Sequence, residues 1–141
     1  MQVLHSEIPI RADPETIWKT LVVFPSIPSE IRDAICNRKI GQNLRVFMNA
    51  GGWGATLTVQ LLAVEPFREI RWKGYLWIPG LFDGEHCFEI RQDTGGVSRL
   101  VQREIFNGLL LPLLSGTLRD TKQEFERMNV AIRDRAEQGI A

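Results

Sequence analysis

The sequence is poor in the residue types that build metal centres and disulfide frameworks. Its 141 residues include only two cysteines, Cys36 and Cys87, and two histidines, His5 and His86. These few residues do not stand at the spacings of a zinc site, so we predict neither a metal nor a cofactor. We expect both cysteines to be free, buried thiols in a reducing compartment.

A net charge and a long apolar run are also missing. Seventeen Lys and Arg residues balance seventeen Asp and Glu residues, so no global field favours nucleic acid or an anionic membrane surface. The apolar run near Leu109 is too short to span a bilayer, and the stretch 1–7 lacks the pattern of a signal peptide. We therefore expect a cytoplasmic protein with no nucleic-acid partner and no integral membrane segment.

The length indicates one domain that covers residues 1–141. A chain of this size buries about 68–70% of its unfolded surface, which is enough for a substantial core. The sequence shows no internal repeat, no linker and no low-complexity tract. A single globular domain is the expected organisation.

A long helix near the carboxy terminus is the strongest local prediction. Between about Leu110 and Glu137, apolar residues recur at spacings of three, four and seven, which is the period of one helical face: Leu111, Leu114, Leu118, Phe125, Met128 and Ile132. We expect the helix to begin between Leu110 and Pro112 and to end before Gly139. Roughly 27 residues would make it about 40 Å long, so a large sheet is needed to cover it.

The chain before this helix alternates between strand and helix signals. A strand is predicted over Val3 to Ile10, and Asp13-Pro14-Glu15 is a typical helix start, with Pro25 as the stop. A second short helix is expected over Ser26 to Ile35. Beyond Gly41 the period changes to two and predicts a meander of strands, among them Leu44 to Met48, Trp53 to Val64, Glu69 to Tyr75, Phe82 to Arg91 and Val97 to Phe106, with a turn at Gly51-Gly52. The predicted fold is α+β, with an antiparallel sheet of about seven strands.

Four short motifs occur in a characteristic order along this pattern. They are Ile10-x-Ala12-x-Pro14-Glu15-x-Ile17-Trp18, Val64-Glu65-Pro66-x-x-Glu69-Ile70-x-Trp72, Gly84-x-His86-x-Phe88-x-Ile90 and Gln102-x-Glu104-x-Phe106-x-Gly108-x-Leu110. Together they resemble the START-like (SRPBCC) superfamily, specifically its polyketide cyclase/dehydrase and lipid-transport branch. The resemblance implies a helix-grip fold, in which a curved sheet wraps the last helix and leaves a hydrophobic cavity for an apolar ligand. Members of this superfamily include lipid carriers, cyclases, hormone receptors and chaperone regulators, so function must be argued from the site.

Alternation along the last two strands brings polar residues to the predicted interior face. His86 lies on the face of Phe88 and Ile90, and Gln102 and Glu104 lie on the face of Leu100 and Phe106. A hairpin loop centred on Thr94 would place His86 opposite Gln102, whereas a loop centred on Gly95 would place it opposite Glu104. In either register His86 and Glu104 are direct or diagonal neighbours.

This polar group has three interpretations. His86, Gln102 and Glu104 could form a satisfied structural cluster, or they could be the polar end of an apolar pocket that orients a carbonyl, hydroxyl or carboxylate of a ligand. In the third interpretation His86 and Glu104 are catalytic. The apolar lining expected from the family shape is Met48, Trp72, Phe88, Phe106, Leu114, Leu118 and Phe125, although rings at such positions are commonly plain core.

Three functions follow from these interpretations. The first is the binding of a small, mainly apolar molecule such as a lipid, an isoprenoid or a polyketide-like metabolite. The second is an enzyme of the cyclase or dehydratase type, in which Glu104 sets the tautomer of His86 and His86 takes a proton next to a carbonyl. The third is a partner-binding module without a ligand, suggested by the leucines around Leu110 and by Trp53 and Trp77 at predicted turns. A monomer and a homodimer are equally compatible with the balanced charge.

Overall fold

A computed structural model describes residues 1–50 and 53–139, without the side chains of residues 49, 50, 53 and 115. The predicted turn at Gly51-Gly52 lies outside the described residues. The elements in chain order are β1 (Gln2–Ile10), α1 (Pro14–Val22), α2 (Ser29–Cys36), β2 (Asn43–Ala50), β3 (Trp53–Glu65), β4 (Glu69–Tyr75), β5 (Asp83–Gln92), β6 (Ser98–Asn107), a 3-10 helix (Leu111–Leu114) and α3 (Ser115–Glu137).

The strands form one antiparallel sheet in the order β1-β6-β5-β4-β3-β2. Strands β2 to β6 are a meander, and β1 joins the sheet beside β6, opposite the edge strand β2. The α+β helix-grip architecture predicted from the sequence is confirmed. The expected count of about seven strands was too high, because the predicted segments correspond one to one with six strands and no other described segment forms a seventh.

The last helix is shorter than predicted at its amino-terminal end. It begins at Ser115 rather than between Leu110 and Pro112, and its 23 residues correspond to about 35 Å. The preceding turn is a 3-10 helix, in which the Leu113 amide donates to the Leu110 carbonyl at 3.0 Å. Pro112 has no amide hydrogen and Gly116 has a low helix propensity, so this turn lacks what a regular first turn needs. The predicted end at Glu137, followed by Gly139, is confirmed.

The two short helices fill one end of the sheet's concave face. The Asp13 side chain accepts a hydrogen bond from the Thr16 amide at 2.7 Å and caps α1, as the sequence indicated. Helix α2 begins at Ser29 rather than Ser26, with Pro28 as its first flanking residue. The Arg32 guanidinium donates to the Val22, Phe24 and Ile27 carbonyls, so a single side chain holds the loop between the helices in place.

The buried apolar residues form two clusters under α3. The larger one joins α1, α2 and the carboxy-terminal half of α3 to the sheet, and the smaller one consists of Leu4, Phe106, Leu118 and Phe125. Cys87 is buried as predicted, but Cys36 is exposed, because it is the last residue of α2 and lies off the buried face of that helix. Among the described residues, no helix combines the length and the hydrophobicity needed to cross a membrane.

Candidate functional site

A pocket of about 560 Å³ lies between the concave face of the sheet, α3 and the loop before α2. Its wall takes residues from both apolar clusters, and its mouth opens to solvent beside exposed residues such as Phe47 and Glu124. The structure brings all ten residues predicted from the sequence to this pocket, namely Met48, Trp72, His86, Phe88, Gln102, Glu104, Phe106, Leu114, Leu118 and Phe125. Their proximity is a finding, whereas their role in ligand binding stays a prediction.

Sequence reasoning missed other parts of the wall. Ala55 and Leu57 line the pocket from β3, where they pair with Met48 and Val46 of β2. Pairing the two strands across Gly51-Gly52 would have found them, because the interior residues of one strand face those of the next. The loop segment 25–28 also lines the pocket, and the sequence did not place it there because residues 26–28 were assigned to the second helix.

His86 and Glu104 form the polar centre of the pocket. They are directly opposite each other on β5 and β6, which is the register of a loop centred on Gly95. The His86 Nδ1 atom lies 3.1 Å from the Glu104 Oε2 atom, within hydrogen-bond distance. Because a carboxylate can only accept, Nδ1 carries the hydrogen, and Nε2 of the neutral ring is then an acceptor.

Aromatic rings surround the imidazole of His86. Trp72 is stacked on it, with centroids 4.7 Å apart and an interplanar angle of 8°, and Phe125 meets it nearly edge-on with centroids at 5.1 Å. His86 is only 7% exposed, and its Nε2 atom is buried with no hydrogen-bond partner among the described residues. Leaving such an atom unpaired costs about 1–3 kcal/mol, so this nitrogen is the one described side-chain atom whose burial the fold does not explain.

Gly84 makes room for the Glu104 carboxylate. It precedes His86 by two residues on β5, and a Cβ atom placed on it would lie 2.8 Å from the Glu104 Oε1 atom. Any larger residue here would push the carboxylate away from its present position. A residue without a side chain is therefore part of what positions the His86–Glu104 pair.

Gln102 is separate from this pair. Its amide nitrogen donates to the Asn129 Oδ1 atom at 2.9 Å, and the Asn129 amide donates to the Ser6 hydroxyl at 3.0 Å. This chain of bonds ties β6 and β1 to α3, so Gln102 has the structural role that the sequence left open for the whole cluster. Asn129 was missed because the helical stripe was counted from apolar residues alone, although it follows Phe125 by four positions.

The outer face of the sheet carries ion pairs, and a larger, more open and more polar depression of about 880 Å³ lies among them, lined in part by Glu69, Arg71 and Arg103. Arg71 is paired with Glu69 and lies 3.8 Å from Glu85. Cys87 lies on the same face, 3.5 Å from the Glu69 Oε1 atom, and burial, with the nearby Glu69 carboxylate, raises the pKa of the Cys87 thiol. Across the described ranges, no three Cys, His, Asp or Glu side chains are grouped closely enough to hold a metal ion.

Two adjacent loops expose apolar side chains at one end of the molecule. The Leu109 amide donates to the Gly80 carbonyl at 3.0 Å, which joins the loop after β6 to the loop after β4. Leu109, Leu113 and Trp77 are 83%, 80% and 76% exposed. We call these three residues with Ile78 the loop patch. Trp77 is not in the pocket wall, and the side chain of Trp53 lies outside the described residues.

The sheet, the long helix α3 and the pocket between them form a fold that comparison with solved structures identifies. Norcoclaurine synthase from Thalictrum flavum, as a point mutant with a transition-state analogue, superposes with a TM-score of 0.66 at 11% identity over 97% of this chain and 94% of that one. A Deinococcus radiodurans protein superposes with a TM-score of 0.62 at 13% identity over 99% and 100% of the two chains. The Aha1 dimer from Colwellia psychrerythraea gives a TM-score of 0.61 at 12% identity over 100% of both.

These likenesses show that the chain has the helix-grip fold that the resemblance of its motifs implied. At sequence identities of 11–13%, these solved structures show a shared fold and nothing about function. No family model and no curated protein matches the sequence. The function therefore has to be argued from the pocket.

Proposed function

We propose that the protein binds a small, mainly apolar molecule, such as a lipid, an isoprenoid or a polyketide-like metabolite, in the pocket between the sheet and α3. The single observation that carries this proposal is the buried Nε2 atom of His86, which has no partner among the described residues and belongs to a side chain that lines an apolar pocket. A native core rarely leaves a polar atom without a partner unless the atom serves a ligand or an ordered water. The ligand's polar end is the partner that we assign to it.

The apolar wall supplies the affinity in this proposal. Phe88, Phe106 and Leu118 present hydrocarbon from β5, β6 and α3 to the same space. Burial of apolar surface is worth about 25 cal/mol per Å², so a ligand that fills the pocket gains most of its binding free energy from these contacts. The hydrogen bond at His86 then fixes the orientation of the ligand.

The first test is native mass spectrometry of the protein purified from its own cells, followed by extraction and identification of the bound molecule. If the protein is a carrier, it should be purified together with an apolar compound, and this compound should dissociate when the protein unfolds. Leu118→Arg places a charge in the pocket wall and should abolish binding, whereas His86→Ala should weaken it modestly or reorient the ligand. Equal and negligible losses from both variants would contradict the proposal, as would an empty protein that binds no apolar compound added to it.

A second candidate function is an enzyme of the cyclase or dehydratase type. The observation that favours it is the 3.1 Å hydrogen bond from His86 to Glu104, which fixes the tautomer with Nε2 free to accept a proton. Norcoclaurine synthase, an enzyme by name, shows that the fold accommodates catalysis. In this reading the surrounding rings exclude water from a reactive carbonyl compound.

Turnover of a poly-ketone substrate decides between the two candidates. General base catalysis contributes typically 10²–10⁴-fold, so His86→Ala should lower kcat by about that factor while the compound still binds. Phe88→Leu is the matched control, since it alters the adjacent wall and leaves the base in place. Turnover that survives His86→Ala unchanged excludes this mechanism and leaves the binding protein.

A further inference from the structure

We infer that the ligand is uncharged and presents a hydroxyl group to the His86 Nε2 atom, and that carboxylate ligands are excluded from the pocket. The inference rests on the proposed binding function and names the chemical class of its ligand. It narrows the three polar groups that the sequence left open, a carbonyl, a hydroxyl or a carboxylate, to one.

The hydrogen-bonding capacity of the site requires a donor on the ligand. His86 Nδ1 donates to Glu104, so in the neutral imidazole Nε2 has only a lone pair to offer. The amide nitrogen of Gln102 is already bonded to Asn129 and to the Phe125 carbonyl, and the Thr121 hydroxyl donates to the Thr117 carbonyl. Gln102 and Thr121 therefore have no free hydrogen for the ligand, and a ligand carbonyl would leave Nε2 unpaired.

The charge of the wall excludes anions. None of the described lining residues is Lys or Arg, whereas Glu30, Glu104 and Glu124 all contribute to the wall. The residues outside the description add no basic side chain, because none of them is Lys, Arg or His in the sequence. A carboxylate that entered the pocket would lose its hydration, meet carboxylates of the same charge and find no cation.

The number of acceptors near His86 favours a hydroxyl over an ammonium group. A hydroxyl has one hydrogen to place and Nε2 is one acceptor, whereas an ammonium group brings three hydrogens. Of the nearby groups, Glu104 accepts from His86 through Oε2 and keeps Oε1 as a second acceptor, whereas Trp72, Phe88 and Phe125 present rings, so a third ammonium hydrogen would stay unpaired. Nε2 is covered by its surroundings, so this hydrogen bond requires a neighbouring ring such as Phe125 to move aside when the ligand binds.

The experiment is a calorimetric titration at neutral pH with four probes that share one ring system: naphthalene, 2-naphthol, 2-naphthoate and 2-naphthylmethylammonium. We expect 2-naphthol to bind roughly tenfold tighter than naphthalene, the gain of one hydrogen bond. We expect 2-naphthoate to bind more weakly than naphthalene. His86→Phe keeps a flat ring in the stack and should remove the advantage of 2-naphthol while naphthalene still binds.

Glu104→Gln separates the hydrogen bond from the charge. The Gln oxygen still accepts from Nδ1, so the preference for 2-naphthol should remain while the discrimination against 2-naphthoate falls. If naphthalene binds but 2-naphthol gains nothing, or if 2-naphthoate or the ammonium probe binds tightest, the inference is wrong and the binding function stands. If no probe binds, including naphthalene, the proposed function itself fails and the inference falls with it.

Discussion

At the scale of single residues, the two thiols have opposite surroundings. Cys36 is exposed at the end of α2, whereas Cys87 is buried and its thiol pKa is raised by burial and by Glu69. Because the thiolate is the reactive form, iodoacetamide should alkylate Cys36 in the native protein and reach Cys87 only after unfolding. Mass spectrometry of the intact protein should show one adduct before denaturation and two after it.

Cys36→Ser is the control for this labelling. The variant should give no adduct in the native state and one in denaturant. Two adducts formed at equal rates on the native protein would show that the outer face of β5 opens readily. That result would contradict the burial of Cys87.

At the scale of single elements, α1 depends on its cap. The hydrogen bond from the Thr16 amide lowers the pKa of Asp13, so the folded state favours the charged carboxylate. A lowered pKa contributes stability above the pKa of the unfolded chain, about 3.9, and this contribution is lost as the pH falls through the folded value. Asp13→Ala should therefore lower Tm at neutral pH, and the difference from the wild type should shrink below about pH 4.

The control for the cap is Asp13→Asn, which keeps an acceptor but does not titrate. Asn is as good a cap as Asp, so this variant should stay close to the wild type at neutral pH. Its Tm relative to Asp13→Ala should be the same at acidic and neutral pH. A Tm difference between wild type and Asp13→Ala that does not change with pH would contradict the charged cap.

The contact between the two loops depends on a glycine. Gly108 has φ of +127°, and a Cβ atom on it would lie 2.4 Å from the Leu81 carbonyl oxygen. Because the obstacle is backbone, Gly108→Ala should destabilise the fold by about 3 kcal/mol in urea unfolding. Gly116→Ala is the matched control: its Cβ would meet nothing within 4 Å, and in a helix it should stabilise by about 1 kcal/mol. Equal effects of the two changes would refute the close approach.

An element can be predicted from the sequence to the extent that the interactions that form it are local. The cap at Asp13 and the period of α3 depend on neighbours within a few residues, and both predictions were confirmed. The start of α3 was wrong because two residues, Pro112 and Gly116, weaken the turn without specifying what replaces it. The sequence allowed two hairpin loops, and therefore left open which residue of β6 lies opposite His86. Only the loop geometry in the structure decides between them.

The separate role of Gln102 lay beyond sequence reasoning. Gln102 donates to Asn129, which is 27 positions away, and Asn129 donates to Ser6, which is 123 positions from Asn129. Alternation placed Gln102 on the interior face correctly, but the face alone does not say which polar side chain will be opposite it. The part of the pocket wall that the strands form was predictable, because interior and exterior residues alternate along a strand. The part formed by the irregular loop before α2 was not.

At the scale of the whole molecule, the loop patch is the surface most suited to another chain. Leu109 and Leu113 are over three-quarters exposed, and Trp77 has φ of +61°, a strained conformation for a bulky residue. Adjacent exposed apolar residues of this kind mark interaction sites in proteins. We expect the protein to associate with itself through this patch in a concentration-dependent manner, as light scattering coupled to size exclusion would show.

A double substitution tests the patch without touching the pocket. Leu109→Glu with Leu113→Glu should give a monomer at all concentrations and leave Tm close to that of the wild type, since neither side chain is buried. The nearby Leu114→Glu is the contrasting change, because Leu114 lines the pocket and should affect ligand binding instead. If the wild-type protein stays monomeric at the highest attainable concentration, the prediction of self-association is wrong. The loop patch would then bind a different partner. A double variant that loses its ligand would instead show that the two leucines help to close the pocket.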